Sequence, residues 1–206
     1  MKTLIVFNHP FEESFCGAVL QAVQNGLKES RKKFDVIHLD RDRFDPVMRE
    51  KDLLAFRGAG KGDADALEVV DPEVLEYKAK LEEADHLVII FPIWWMTMPA
   101  MTKGFIDKVI FPAIAYNNAG GGRMKSRLPL EKVTVISTMN TPADIYRDMF
   151  HNALEGALIK GTFKQIGIED VEWISLSEVK QAGDEQRRKW LRDIETRFGS
   201  IPDMVA

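Results

Sequence analysis

The sequence predicts an α/β fold: a five-stranded parallel sheet of order 2-1-3-4-5 with helices on both faces. Five short apolar runs rich in β-branched residues alternate with segments whose apolar residues recur at helical spacing. The runs are apolar almost throughout, as strands covered on both faces are. Right-handed crossovers then leave few topologies for such a sheet. We read the 206 residues, 45% of them hydrophobic, as a single domain, residues 1–206.

Residues 3–8 form the first expected strand, followed by a helix in which Phe15, Ala18, Val19, Ala22 and Val23 share a face and Ser14 is the N-cap. Residues 34–39 (FDVIHL) are the second strand. A polar, irregular stretch follows over 40–71, with a short helix at 52–56 and the segment RGAGKGD at 57–63. That segment superficially matches a phosphate loop, yet it lacks the GxxxxGK[ST] spacing and a preceding strand, so a surface loop is expected. Residues 73–84 are helical and lead into the third strand, HLVII at 86–90. Beyond it, Pro99 opens a helix in which Phe105, Ile106, Val109 and Ile110 form the apolar stripe and Lys103 pairs with Asp107. Residues 131–138 (EKVTVIST) are the fourth strand. Met149, Phe150, Ala153, Leu154, Ala157 and Leu158 then stripe a helix closed by Gly161. The fifth strand covers 171–176, and Trp190, Leu191, Ile194 and Phe198 mark the last helix.

A net charge of -4 and a pI near 5.7 argue against nucleic-acid and anionic-membrane partners. Apolar runs fall short of the roughly 18 residues that span a bilayer, and the N-terminal MKTLIVFNHP turns polar too early for a signal peptide, so no membrane insertion is expected. A lone Cys16 excludes an intrachain disulfide framework, and a reducing cytoplasmic setting follows. The four histidines, His9, His38, His86 and His151, lack metal-ligand spacing, so no metal is expected.

The functional signal lies at the carboxyl ends of the strands, where open α/β sheets bind ligands. Residues 91–109, FPIWWMTMPAMTKGFIDKV, leave the third strand through Trp94 and Trp95, an apolar wall suited to a flat ring. The competing reading is that both tryptophans serve packing or a dimer interface. The first loop, NHPFEESFC, is the expected anion site, because a helix starting at Ser14 points free N–H groups and a positive dipole end at it.

HPFEESFC (9–16), FDPVM (44–48) and FPIWWMTMPAMTKGFIDKV (91–109), in this order and spacing, resemble the flavin-dependent NAD(P)H:quinone oxidoreductases of the DT-diaphorase type and their shorter bacterial relatives. The resemblance implies a flavodoxin-like fold and two-electron, ping-pong transfer from NADH or NADPH through a bound flavin to quinones or similar azo and nitro acceptors. It implies that His9, Ser14, Phe15 and Cys16 hold the phosphate end, where Cys16 replaces the asparagine more usual in the family. Pro92, Ile93, Trp94 and Trp95 would lie along the ring, and Met96 and Tyr116 would line the substrate pocket. The third wall departs from the pattern: STMNTPADIYRDMFHN (137–152) carries Met139, Asn140 and Thr141 in place of a glycine-containing run. Thr138, Met139 and Asn140 remain candidate cofactor contacts, with Tyr146 as a cofactor contact and, beside His151, as the group stabilising charge on the reduced ring. FMN is expected over FAD because the chain ends soon after its fifth-strand helix. Apolar residues near the tryptophans and over 111–116 imply a homodimer. The resemblance leaves two other readings open: an accessory subunit of a potassium efflux system and a flavodoxin-like electron carrier.

Overall fold

A computed structural model describes residues 1–200; the last six residues of the expected domain, 201–206, lie outside the described residues. The strands are β1 (Lys2–Phe7), β2 (Lys33–His38), β3 (His86–Pro92), β4 (Tyr116–Asn118), β5 (Met124–Ser126), β6 (Lys132–Thr138) and β7 (Val171–Leu176). Five of them make a parallel sheet in the order β2-β1-β3-β6-β7, which is the expected order 2-1-3-4-5 once β4 and β5 are set aside. Those two pair with each other as a short antiparallel hairpin that the apolar pattern did not reveal. Three residues per strand bury too little to leave a periodic signal.

Strand periodicity builds two cores. Leu4, Val6, Leu87, Ile89, Val133 and Val135 face one side, while Ile5, Phe7, Val88, Ile90 and Ile136 face the other. α1 (Phe15–Glu29) covers the second side together with the last helix, through Val19, Val23, Ile194 and Phe198. The first side is covered by α2 (Glu50–Gly60), α3 (Pro72–Glu82) and α4 (Ala100–Val109), with Tyr146 of α5 (Ala143–Asp148) and Leu158 and Phe163 of a π-helical segment, Glu155–Lys164. The last helix is α6 (Asp184–Gly199). β3 is buried at every position, which accounts for the unbroken apolar run at 86–92.

Three local expectations need correction. α2 runs over Glu50–Gly60, so Arg57 to Gly60 of the presumed loop are its last turn and only Lys61 and Gly62 begin a turn. The apolar stripe expected to begin at Met149 is broken. His151 and Asn152 take left-handed backbone (φ 51 and 49), which leaves Met149 and Phe150 exposed, while the segment beyond runs through Gly161 as π-helix. Finally, Phe111, Ile114, Ala115 and Tyr116 are buried and form no exposed patch; exposed Phe56 of α2 packs against Phe111, and Leu53 and Leu54 of the same helix are also exposed.

The irregular stretch after β2 is held by a buried lysine. Lys108, 2% exposed, donates from Nζ to the Asp45 carbonyl and to Asp71 Oδ2, both at 3.1 Å, and lies 3.9 Å from the buried carboxylate of Asp52. Its Nζ also sits 5.7 Å from the centre of the Phe44 ring. Gly104, one turn earlier, has no room for a side chain: a Cβ would come within 2.3 Å of Pro46. The segment FDPVM therefore lies directly on α4, held at Asp45 by the Lys108 ammonium and at Pro46 by close approach to Gly104.

At the opposite end of the sheet His86 is buried, its Nε2 2.8 Å from Thr134 Oγ1 and its ring stacked on Phe198 at 5.9 Å. Burial chiefly lowers its pKa from 6.5 to about 4, with Lys132 and Arg197 acting in the same direction and Glu172 opposing.

Lys108→Ala leaves Asp52 and Asp71 without their buried partner and should cost about 3–5 kcal/mol in urea unfolding; a loss below about 1 kcal/mol would show that water already solvates these carboxylates. For His86 the folded pKa of about 4 lies below the unfolded 6.5, so the neutral ring's contribution is complete above pH 6.5 and lost as pH falls towards 4. Stability should drop by on the order of 3 kcal/mol across that window. His86→Gln, which cannot charge, should flatten the profile there, and an unchanged slope would assign the acid sensitivity elsewhere.

Candidate functional site

The parallel register levels three strand ends. Phe7 pairs with Ile90, and Pro92 with Thr138, so the loops that follow β1, β3 and β6 emerge at one rim. Asn8, 2% exposed, ties this rim together: its N–H donates to the Ile90 carbonyl at 3.0 Å, its Nδ2 donates to Asp40 at 2.7 Å, and its Oδ1 accepts from the Thr102 hydroxyl at 2.8 Å. Sequence reading passed over Asn8, although a polar residue closing an apolar strand was the available signal.

A cleft of about 210 Å³ opens between these loops. It is lined by His9, Ser14, Phe15 and Cys16 from the first loop, Pro92, Ile93 and Trp94 from the second, and Thr138, Met139 and Asn140 from the third. Ten of the expected site residues thus come together. Val179, from the loop after β7, completes the lining and was not expected.

The first wall is a helix start. Ser14 is the N-cap of α1 and its Oγ accepts from the Gly17 N–H at 3.1 Å. Phe15 and Cys16, the first two residues of the helix, have N–H groups that no intrahelical carbonyl can reach. Gly17 is required here because a Cβ would sit 1.9 Å from the Glu12 carbonyl oxygen, which packs onto the first turn. His9 accepts the Phe11 N–H at Nδ1 (3.1 Å), which places its ring proton on Nε2. Burial lowers the His9 pKa, so the ring is neutral at pH 7. No lysine or arginine lines the cleft.

Cys16 Sγ and Thr138 Oγ1 lie 3.1 Å apart and join the first wall to the third. Burial raises the thiol pKa to about 11, which keeps it protonated and poorly nucleophilic. The Ile93 N–H donates to the Thr138 carbonyl at 2.8 Å, and the Val179 N–H to the Met139 carbonyl at 3.1 Å, so the walls share backbone hydrogen bonds. Asn140 Oδ1 accepts the Lys180 N–H at 3.0 Å, leaving its Nδ2 as a donor on this wall.

The two tryptophans separate in role. Trp94 lines the cleft, 45% exposed, with the His9 ring 6.2 Å away, whereas Trp95 is 97% exposed and lies outside the lining. Met96 and Tyr116 also lie outside it; Tyr116 instead borders two other hollows, one with Gly60 and Lys61 and one with Phe56 and Met124. Tyr146 is fully buried, with its hydroxyl donating to the Met96 carbonyl at 2.8 Å and accepting the Leu154 N–H at 3.0 Å. His151 sits in an exposed left-handed turn and does not line the cleft. Among the described residues no group of His, Cys, Asp and Glu could hold a metal ion, and no helix is long and apolar enough to cross a membrane.

An uncharacterised NAD(P)H oxidoreductase of Escherichia coli, YcaK, is 29% identical over 171 residues, 83% of this chain and 81% of that protein. A ribosyldihydronicotinamide dehydrogenase (quinone) of Rattus norvegicus is 28% identical over 160 residues, 71% of this chain and 69% of that protein. Among solved structures, an NAD(P)H:quinone oxidoreductase from Methanothermobacter marburgensis superposes with a TM-score of 0.84 at 24% identity, over 97% of this chain and 98% of that one. An FMN-dependent NADH-azoreductase from Bacillus anthracis, in complex with FMN, superposes with a TM-score of 0.73 at 18% identity over 96% and 97%. At these identities the two structures share the fold. The family model described as having a flavodoxin-like fold matches residues 1–198, and with the sheet order and rim above it shows that the chain belongs to that family.

Proposed function

We propose that this chain is a cytoplasmic, single-domain NAD(P)H-dependent flavin oxidoreductase, which holds FMN in the rim cleft and delivers electrons in pairs to quinone-like acceptors, including azo and nitro compounds. One observation carries this reading: the cleft joins a helix start with free N–H donors to an apolar wall made by Pro92, Ile93 and Trp94. The relatives named NAD(P)H oxidoreductase and quinone dehydrogenase support it.

The donor set fits FMN. The N–H groups of Phe15 and Cys16, the Ser14 hydroxyl and His9 Nε2–H suit a phosphate monoester, bound by neutral donors and the helix dipole with no cationic side chain in the lining. Pro92, Ile93 and Trp94 offer the flat surface on which an isoalloxazine ring lies, and Thr138, bonded to Ile93, and Met139 continue the lining beside it. Asn140 Nδ2 is the donor offered to the polar edge of the ring. Tyr146 and His151, expected in that role, are placed otherwise: the phenol proton is already given to Met96, and the histidine stands in an exposed turn. Bound FMN supplies two-electron chemistry that lets a nicotinamide and an acceptor react in turn at one site. Cys16 contributes a neutral hydrogen bond to Thr138 and no nucleophile.

The exposed indole of Trp95 stands beyond the cleft, where an acceptor or a second protomer would meet it. Leu53, Leu54 and Phe56 of α2 are exposed at 40–57%, and they supply the apolar surface for a homodimer in place of the buried segment 111–116.

The purified protein should be yellow or take up FMN, and the colour should bleach anaerobically with NADH or NADPH. Trp94→Ala should weaken FMN binding by about tenfold or more through lost stacking. Lys61→Ala, in the separate hollow beside Tyr116, should change neither binding nor turnover. A colourless protein that refuses FMN and FAD at micromolar concentrations would overturn the proposal; a Lys61→Ala variant that cannot bind FMN would move the site to the glycine-rich segment.

A further inference from the structure

The turn that carries the tryptophans is held in an unfavourable conformation. The Trp94 N–H donates to the Thr97 carbonyl at 2.9 Å and the Thr97 N–H donates back to the Trp94 carbonyl at 3.1 Å, so Trp95 and Met96 are the two central residues of a tight turn. Both have left-handed backbone, φ 46 and φ 65. Two-residue turns of that hand favour Asn-Gly, because a side chain crowds the following carbonyl at positive φ. A tryptophan followed by a methionine persists there only if its surroundings hold the turn in place.

Besides the packing of the Met96 side chain on the first core, one restraint on this turn is Tyr146. Its ring is fully buried and packs edge-on against Trp173 at 6.0 Å. Its hydroxyl donates to the Met96 carbonyl, a bond that crosses 50 residues of sequence, and accepts the N–H of Leu154. Leu154 follows a second left-handed pair, His151 and Asn152, and Asn152 N–H donates to the Tyr146 carbonyl at 3.1 Å. One phenol thus bonds both the turn at 94–97 and the helical residue Leu154, each beside a pair of consecutive left-handed residues.

We propose that Tyr146 is a positioning residue whose hydroxyl clamps the turn at 94–97 to Leu154 at the start of the π-helical segment, and so sets the Trp94 indole against the cofactor without touching it. The proposal rests on the reading of the rim cleft as the FMN site. Burial raises the phenol pKa, so the group remains a donor through the physiological range. The clamp opposes strain at a known place, so removing that strain should make the clamp dispensable.

The test combines Tyr146→Phe with Met96→Gly, which accepts positive φ without crowding. Two readouts are followed: FMN affinity, and amide exchange at residues 94–97 in protein freed of FMN. Tyr146→Phe should speed exchange of the Thr97 N–H and weaken FMN about tenfold, the scale of one lost neutral hydrogen bond. In the Met96→Gly background the same change should cost less than about threefold on either readout. Equal losses in both backgrounds, or an unchanged Thr97 exchange rate, would overturn the clamp and leave Tyr146 acting through Leu154 or through the cofactor itself. Should Tyr146→Phe alone fail to fold, recovery of folding in the double variant supports the clamp, and failure of both variants overturns it. If the wild-type protein binds no FMN, the cofactor reading falls, while amide exchange still decides the clamp.

Discussion

The three walls of the cleft depend on the parallel register of β1, β3 and β6. β3 is buried along its whole length and apolar from Leu87 onward, so the groups available to a ligand lie at the point where the strand ends. Pairing of Phe7 with Ile90 and of Pro92 with Thr138 brings three loop beginnings to one level. A slip of one residue would exchange the two core faces and also part Cys16 from Thr138. The same pairing that buries the sheet therefore assembles the site.

Charge is used in two contrasting ways. Beneath the loop after β2, buried Lys108 reaches the Asp45 carbonyl and the carboxylates of Asp52 and Asp71, and its loss would leave the buried Asp52 without a cation while Asp71 keeps Lys51. In the cleft, by contrast, the lining holds neutral donors and no lysine or arginine. A helix start answers an anion through dipoles already fixed by the fold, and that answer requires no flexible side chain to be ordered. The arrangement suits a ligand that stays bound while smaller partners exchange.

Much of this was legible in the sequence, and the failures have physical causes. The five sheet strands were readable because each is a compact apolar run, and ten cleft residues were readable because the loops leaving those strands had to converge. Tyr146 was recognised, but its hydrogen bond to Met96 joins positions 50 residues apart, which no local pattern records. Trp94 and Trp95 looked equivalent until the left-handed turn sent one into the cleft and the other into solvent. Helical periodicity ran straight across Met149 to Leu158, while the chain breaks at His151 and Asn152, because a stripe of apolar residues cannot report positive φ at non-glycine positions. Lys108 carries no local signal of burial, because the groups around it, Phe44, Asp45, Asp52 and Asp71, come from segments far away in sequence.

The central claim is a planar cofactor lying against Trp94 with its phosphate at the first turn of α1. Backbone and indole NMR during an FMN titration tests it most directly. The account predicts the largest shifts at the amides of Phe15, Cys16 and Gly17 and at the Trp94 indole, with Lys61 and Asn118 unmoved. Shifts gathered instead around residues 59–62 and 112–118, with the start of α1 silent, would contradict it.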